Sequence, residues 1–396
     1  MSMNILLLRH YPPVEGRSMR SFADEIAAGM RSRGHSVREL TAPMFLGRVL
    51  PPSHRAAKWL GYVDQFLIFP PYLWLRACLL PRGSLCVLSD QALGPWLPWL
   101  IHRAHVVHCH DLLALEASLG FQPFLRLSWS GRWYQKWILQ GFRRGRCFLS
   151  VSRATQAVLE RHLPQCPKFS GVLYNPLPRR FVVLPKEQAV ATLRCCLPGM
   201  DRQPFLLHIG TVWYKNRYGV LNILEQLHQL GFPQHLVLVG PVDAMFRRWL
   251  YQHPQLSTWV HVLERAGDEL VVALYNNASV LLFPSHAEGF GWPILEALAC
   301  GCPVITTDRP PMTEVGGQAV ATIPPAPPPP EPLVNWARKA AQKVLLVLAR
   351  SDSEKARMRA LGFAQARRFQ LEPWLDQLES YYRQALVLQG NSTCVG

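Results

Sequence analysis

The sequence predicts an α/β protein built from two doubly wound, parallel-sheet domains. Three observations carry this. The chain of 396 residues is too long for one ordinary hydrophobic core. Short apolar runs alternate with longer amphipathic stretches, and this rhythm occurs twice. Between the two occurrences stands Asn175-Pro-Leu-Pro178, whose prolines belong in neither a helix interior nor a central strand. An apolar share of 49% with 17% charged residues excludes a mainly disordered chain.

The first half opens with a strand over residues 4–9 and a Pro/Gly loop to residue 17. A helix follows over 18–33, ended by Gly34, then a short strand over 37–40. Further strands are expected at 85–88, 105–108, 147–151 and 171–174, with helices at 133–142 and 154–162 between them. After a less regular stretch to residue 203 the second half repeats the order. Strands are expected at 205–209, 235–239, 259–262, 280–283 and 303–306, and helices at 217–230, 244–251, 269–276 and 293–299. Residues 324–332 hold seven prolines in nine positions and form an extended connector. Helices then fill 333–350, 353–368 and 372–386, the last with Trp374, Leu378, Tyr381 and Tyr382 on one apolar stripe. The expected division is an N-terminal acceptor-side domain over 1–178, a linker over 179–203, a nucleotide-sugar domain over 204–371, and a C-terminal helix and tail over 372–396 that packs back.

Several classes of function fall away. The ten cysteines include no CxxC pair, only Cys195-Cys196 and Cys300-Gly-Cys302 as near neighbours, so reduced thiols are expected rather than disulfides or zinc. The N-terminal apolar run is too short for a signal sequence, and the stretch 59–80 is broken by Asp64, Pro70, Pro71 and Arg76. A cytoplasmic location is the expectation. The Asn391-Ser-Thr sequon in the tail then reads as chance. Of the formal net charge of +16, +14 lies in residues 1–183, where 23 Lys and Arg face 9 Asp and Glu. Such a field draws anionic partners. No recognition motif points to nucleic acid, so the expected anionic partners are phosphorylated substrates or acidic lipid headgroups, the latter as an anionic membrane surface on the inner face of the membrane. Trp59, Tyr62, Phe66, Phe69, Tyr72 and Trp74, interleaved with Lys58 and Arg76, could rest on that surface or form core under a helix pair.

In an open parallel sheet ligands gather at the carboxyl ends of strands. The segment from Leu281 through Glu288-Gly-Phe-Gly-Trp-Pro-Ile-Leu-Glu296 is an apolar strand, a loop with Gly289 and Gly291, and a helix begun by Pro293. Free N–H groups at that helix start suit a diphosphate, and the loop carboxylate of Glu288 can accept hydrogen bonds from sugar hydroxyls. Glu296 is expected to point toward a ribose-like diol.

This segment, with Ala297-Leu-Ala-Cys-Gly-Cys-Pro-Val-Ile-Thr-Thr-Asp308 and Glu314-Val-Gly-Gly317, resembles the donor-site signature of retaining GT-B glycosyltransferases of family four (glycosyl transferases group 1), especially mannosyltransferase-like members. The resemblance implies two Rossmann-like doubly wound domains facing an interdomain cleft. It assigns Glu288 to the sugar, Glu296 to the ribose, and Gly289, Phe290 and Gly291 to the sugar and phosphates. His208-Ile-Gly-Thr-Val-Trp-Tyr-Lys-Asn216 is similar to the family's strand and loop bearing the lysine that neutralises the diphosphate. Lys215 takes that role, with Gly210 and Asn216 beside it. Where the family often adds an Arg, Thr211 and Tyr214 stand here, so the clamp is short one cation that Arg217 or an N-domain Arg would replace.

The segment 236–240, ending in Gly240, and the stretch 262–267 match where the family holds the nucleotide base. Val106-Val-His-Cys-His-Asp-Leu-Leu113 is similar to the family's strand end whose second His lies near the sugar. That role falls to His110, oriented by Asp111. Gly16 stands at the first strand-to-helix turn, where the family has a Gly-Gly pair, and Glu15 replaces the first glycine. Asn175-Pro176 stands where the family has Asn-Gly.

The resemblance implies an enzyme, a retaining hexosyltransferase with mannose favoured, acting with no metal or other cofactor. Its partners would be a nucleotide-sugar donor and a saccharide or lipid-linked acceptor of cell-surface polysaccharide or glycolipid. The alternatives are a sugar-nucleotide epimerase of the same architecture, which would isomerise the donor without an acceptor, and a non-catalytic nucleotide-sugar-binding homologue.

Overall fold

The computed structural model describes residues 2–12, 16–51, 54, 56–122, 125, 127–163, 165–328 and 332–390. Glu15 and the 391–393 sequon lie outside them. The chain divides into two compact units, one of Met1–Tyr174 with Glu372–Gly396 and one of Asn175–Leu371.

The first unit is built on a parallel sheet of β1 (Asn4–Leu8), β2 (Ser36–Leu40), β3 (Leu85–Leu88), β4 (Ala104–Cys109), β5 (Cys147–Ser150) and β6 (Phe169–Val172), in the order β2-β1-β3-β4-β5-β6. Ile5 pairs with both Val37 and Leu85, which puts β1 inside the sheet and buries it on both faces. The second unit repeats the plan with β7 (Phe205–Ile209), β8 (His235–Val239), β9 (Val260–Leu263), β10 (Val280–Phe283), β11 (Val304–Thr307) and β12 (Ala321–Ile323), in the order β12-β11-β10-β7-β8-β9. All pairings are parallel. In each sheet the chain leaves its first strand to one side and later returns to the other. The switch lies between β1 and β3 in the first sheet and between β7 and β10 in the second, the position where open parallel sheets bind ligands.

Three local expectations change. The stretch 179–203 is not irregular throughout, because Lys186–Cys196 forms a helix that buries Ala189 and Leu193 against the helix Asp268–Asn277. Prolines at 178 and 185 mask its start in the sequence. β6 begins earlier than expected, since the Phe169 N–H already donates to the Arg146 carbonyl. β12 is additional, too short to show a period of its own and held by pairing with β11.

The aromatic stretch is divided between core and surface. It forms the helix Ala57–Val63, a π-helical turn Asp64–Ile68 and the helix Phe69–Cys78 in one continuous run, in which Pro70 and Pro71 follow the π-helical turn and the Gln65 carbonyl accepts from Trp96 Nε1. Phe69 is fully buried, whereas Trp59, Tyr72 and Trp74 are each about half exposed. Asp64, the acid that breaks the apolar run, is buried and accepts hydrogen bonds from the Tyr11 hydroxyl and the Leu46 and Gly47 N–H groups. No helix among the described residues is long and apolar enough to cross a membrane.

The last helix, Leu371–Gly390, is attached to the first unit. Its Tyr382 hydroxyl lies 2.9 Å from His108 Nε2, and Gln389 bonds both the N–H and the carbonyl of His105. Arg33 reaches back from the helix Arg17–Ser32 to Asp376 and Glu379.

Candidate donor site

The loops that follow β7 and β10 meet at the switch point of the second sheet. Gly210 ends β7 with φ 132° and Gly240 ends β8 with φ 114°, conformations that side chains rarely adopt. Between them lies the Arg217 guanidinium, which donates to the carbonyls of Gly210 and Pro241 at 2.8 and 2.7 Å, and of Val239 at 3.2 Å. Burial lowers the Arg217 pKa, with Asp243 opposing. This corrects the expectation that Arg217 replaces the missing clamp cation. Its charge is committed to backbone oxygens and staples two strand ends together.

Asn216 does similar work between the β7 and β10 loops. It is left-handed, with φ 55°, and its Oδ1 accepts from Gly219 N–H to cap the helix Arg217–Gln229. Its Nδ2 donates to the Pro284 carbonyl, and the His286 N–H bonds the Tyr214 carbonyl close by. The Asn216 side chain expected at the donor is thus spent on holding the two loops in register.

Held this way, Lys215 and Glu288 come together. Lys215 Nζ lies 2.7 Å from Glu288 Oε1, with side chains 14% and 7% exposed, and 4.6 Å from the Phe283 ring centroid. The Ser285 hydroxyl donates to the same Oε1 at 2.9 Å. Charges so little exposed need each other, since removing either would strand its partner. Ser285 was not singled out in the sequence, although it stands three residues before Glu288 in one loop.

Gly291, with φ 105°, turns the chain into the helix Trp292–Ala299, whose first turn contains Pro293. Phe290 packs its ring against Phe369 and Trp292, so that ring is buried core rather than a donor contact. Gly289 stands between it and Glu288. Glu296, one turn into the helix, accepts from the Tyr275 hydroxyl at 2.9 Å. Burial pushes its pKa up to about 7, against the lowering effects of Tyr275, Arg180 and Lys215. The carboxyl expected to face a ribose therefore already has one partner that the sequence did not announce.

In the first unit, His110 follows β4 and is buried, its ring edge-on to Phe22 at 4.5 Å. Nε2 lies 3.0 Å from the Ser89 carbonyl. A carbonyl only accepts, so Nε2 carries the hydrogen. Burial lowers the His110 pKa, while the Asp90 charge raises it. Asp90 is a buried carboxylate whose charge acts on this imidazole, and Asp111 Oδ1 accepts from Leu113 N–H at the start of a helix. Asp90 also lies 3.2 Å from His10 Nε2. Burial opposes ionisation of Asp90, but His10, His110 and the Ala92 N–H hold its pKa below the usual range. His10 and Asp90 stand at the ends of β1 and β3, the first sheet's switch point, and neither was singled out in the sequence. Gly16 caps the helix Arg17–Ser32 at φ −64°, a value any residue adopts, with open space where a Cβ would stand. Among the described residues no group of three or more His, Cys, Asp or Glu is arranged to hold a metal.

Residues 203–335 match the model of the family Glycosyl transferases group 1. The chain is 31% identical over 204 residues to the O-antigen chain mannosyltransferase B of Escherichia coli, an alignment covering 48% of this chain and 49% of that protein. It thus spans about half the length of that relative. Sucrose-phosphate synthase from Thermosynechococcus elongatus has a TM-score of 0.71 at 19% identity, covering 97% of this chain and 99% of that one. HepE from Anabaena, solved with UDP and glucose, has a TM-score of 0.67 at 17% identity, covering 96% and 100%. The fold is that of the GT-B glycosyltransferases.

Proposed function

We propose that this chain, whose second unit carries the glycosyl transferases group 1 match, is a glycosyltransferase that moves a hexose from a nucleotide-diphosphate sugar to a saccharide or lipid-linked acceptor, retaining the anomeric configuration. Mannose is favoured because a curated relative is a mannosyltransferase. Retention follows from the family resemblance of the Glu288 to Glu296 segment. The observation that carries the reading is the Lys215–Glu288 pair at the switch point of the second sheet.

A diphosphate leaving group needs countercharge more than it needs a nucleophile. When donor arrives, Lys215 turns from Glu288 to the diphosphate, and Glu288 becomes free to accept from sugar hydroxyls. The N–H groups at the start of the helix Trp292–Ala299 add positive potential. Glu296, with one oxygen on Tyr275, offers the other to the ribose. With these charges in place the reaction needs no metal. His110 is assigned to the sugar by the resemblance alone.

The acceptor side belongs to cell-surface polysaccharide or glycolipid synthesis, carried out in the cytoplasm at the inner face of the membrane. Support comes from the O-antigen relative and from the exposed Trp59, Trp74, Leu75 and Leu79 beside Lys58 and Arg76.

The test is a thermal-shift panel of GDP, UDP and ADP with their sugars, because a ligand that binds only the folded state raises the melting temperature. One nucleotide sugar is expected to stabilise the protein and to support transfer. Lys215→Ala and Glu288→Ala are each expected to lower turnover by about 100-fold or more while the fold survives. Near-normal turnover in either variant overturns the assignment.

A further inference from the structure

The second unit has a cavity of about 460 Å³ at the opposite ends of its strands from the donor loops. Pro204, Gln234, Ser279 and Pro303 line it, and each immediately precedes one of β7, β8, β10 and β11. Its volume is that of a small-molecule pocket. Val304, Cys302, Val347, Leu348 and Met358 supply an apolar lining, and Arg350, Lys355 and Arg359 stand at it with no carboxylate among the lining residues.

The three cations make no ion pair among the described residues. Glu354, whose charge Arg350 feels, is engaged with Ser351 in a capping box. The amino ends of a parallel sheet collect helix C-termini, where cations are favourable. That accounts for Arg350, just past the helix Val334–Leu348, and for Arg359, whose side chain lies over Gly301 just past Trp292–Ala299. It does not account for Lys355, which sits in the first turn of the helix Asp352–Arg367, the end where a cation is disfavoured. A lysine against that dipole, one turn before Arg359 on the same helix and lining the same cavity as Arg350, is placed for an incoming negative charge.

We propose that this cavity is a second binding site, independent of the donor site, for a small amphiphilic anion: a phosphate ester on a compact apolar body. The apolar body occupies the floor under β10 and β11, and the head group bridges Arg350, Lys355 and Arg359. Neither half suffices alone. Inorganic phosphate lacks the burial, and a neutral aromatic lacks the charge.

Isothermal titration of the full chain with phenyl phosphate, phenol and inorganic phosphate tests this. Saturable binding of phenyl phosphate is expected, with phenol and inorganic phosphate at least about tenfold weaker. The exposed pair Lys355→Ala/Arg359→Ala is expected to weaken phenyl phosphate about tenfold or more at an unchanged melting temperature. Lys355→Glu alone is expected to act in the same direction. Lys215→Ala, in the donor site, is expected to leave this binding intact. No saturable binding, binding indifferent to the loss of Lys355 and Arg359, or binding lost in Lys215→Ala overturns the proposal. The last result would place the phosphate in the donor site and leave the glycosyltransferase reading untouched.

Discussion

Lys215 and Glu288 neutralise each other in the free protein, and this shapes what each can do. On the function proposed above, Lys215, held 2.7 Å from the Glu288 carboxylate, has only to turn from that partner to the donor diphosphate. Glu296 sets a different condition. Its folded pKa of about 7 lies above the ordinary 4.5, so between those values the folded state holds a proton that the unfolded chain has released. Stability from this group is present below the ordinary value and falls as pH rises through about 7. Glu296→Gln removes that loss while keeping a partner for Tyr275. The variant is expected to match the wild type near about pH 4 and to exceed it near about pH 8, by up to on the order of 3 kcal/mol. Melting temperatures across that range check it, and a pH-independent difference would show that the carboxyl is not the titrating group. The two glutamates were legible because their spacing places one in a glycine loop and one a turn into the helix. Ser285 and Tyr275 were not, since a lone hydroxyl announces a partner only once the chain has folded beside it.

Among the elements, the helix Arg217–Gln229 shows how a loop is held at a strand end. Asn216 combines a left-handed backbone, a cap on Gly219 and a bond to the Pro284 carbonyl. Loss of the cap costs about 1 kcal/mol, and a left-handed alanine costs roughly 1–2 kcal/mol more. Asn216→Ala is therefore expected to destabilise by about 2–3 kcal/mol, and Asn216→Gly by less, since glycine accepts the backbone without strain. Urea unfolding of both variants separates the terms; equal losses would mean that the left-handed backbone contributes nothing. The helix itself was readable from apolar periodicity. The stretch 179–203 was not, because prolines at its edges suggest a loop while the helix Lys186–Cys196 depends on a distant face to cover Leu193.

For the molecule as a whole, the uneven charge is the main physical property beyond the fold. Of the +16, +10 lies in the first unit, where 22 Lys and Arg face 12 Asp and Glu, and the same unit exposes Trp59, Trp74, Leu75 and Leu79. A surface with both features should bind anionic vesicles by attraction and shallow insertion together. Flotation with vesicles containing acidic phospholipid is expected to carry the protein upward, and neutral vesicles are not. Moderate salt should release it, because exposed charges are screened beyond about 8 Å at physiological ionic strength. A Trp59→Ala/Trp74→Ala variant should float less well at equal charge. Binding to neutral vesicles alone, or none to acidic ones, would count against the membrane reading.

Local chemistry in the sequence determined the alternation of strands and helices, the two-fold repetition of the plan and the loop that joins Glu288 to the helix with Glu296. These depend on periodicity, proline and glycine, which act over a few residues. Tertiary structure decided the rest. It put the Arg217 charge on carbonyls at two strand ends, brought the carboxylate of Asp90 to act on His110, and returned the last helix to the first unit. Each of these contacts joins segments set by the sheet order β2-β1-β3-β4-β5-β6 or β12-β11-β10-β7-β8-β9. Which strands become neighbours depends on burying both faces of a sheet at once, and no short stretch of sequence contains that condition.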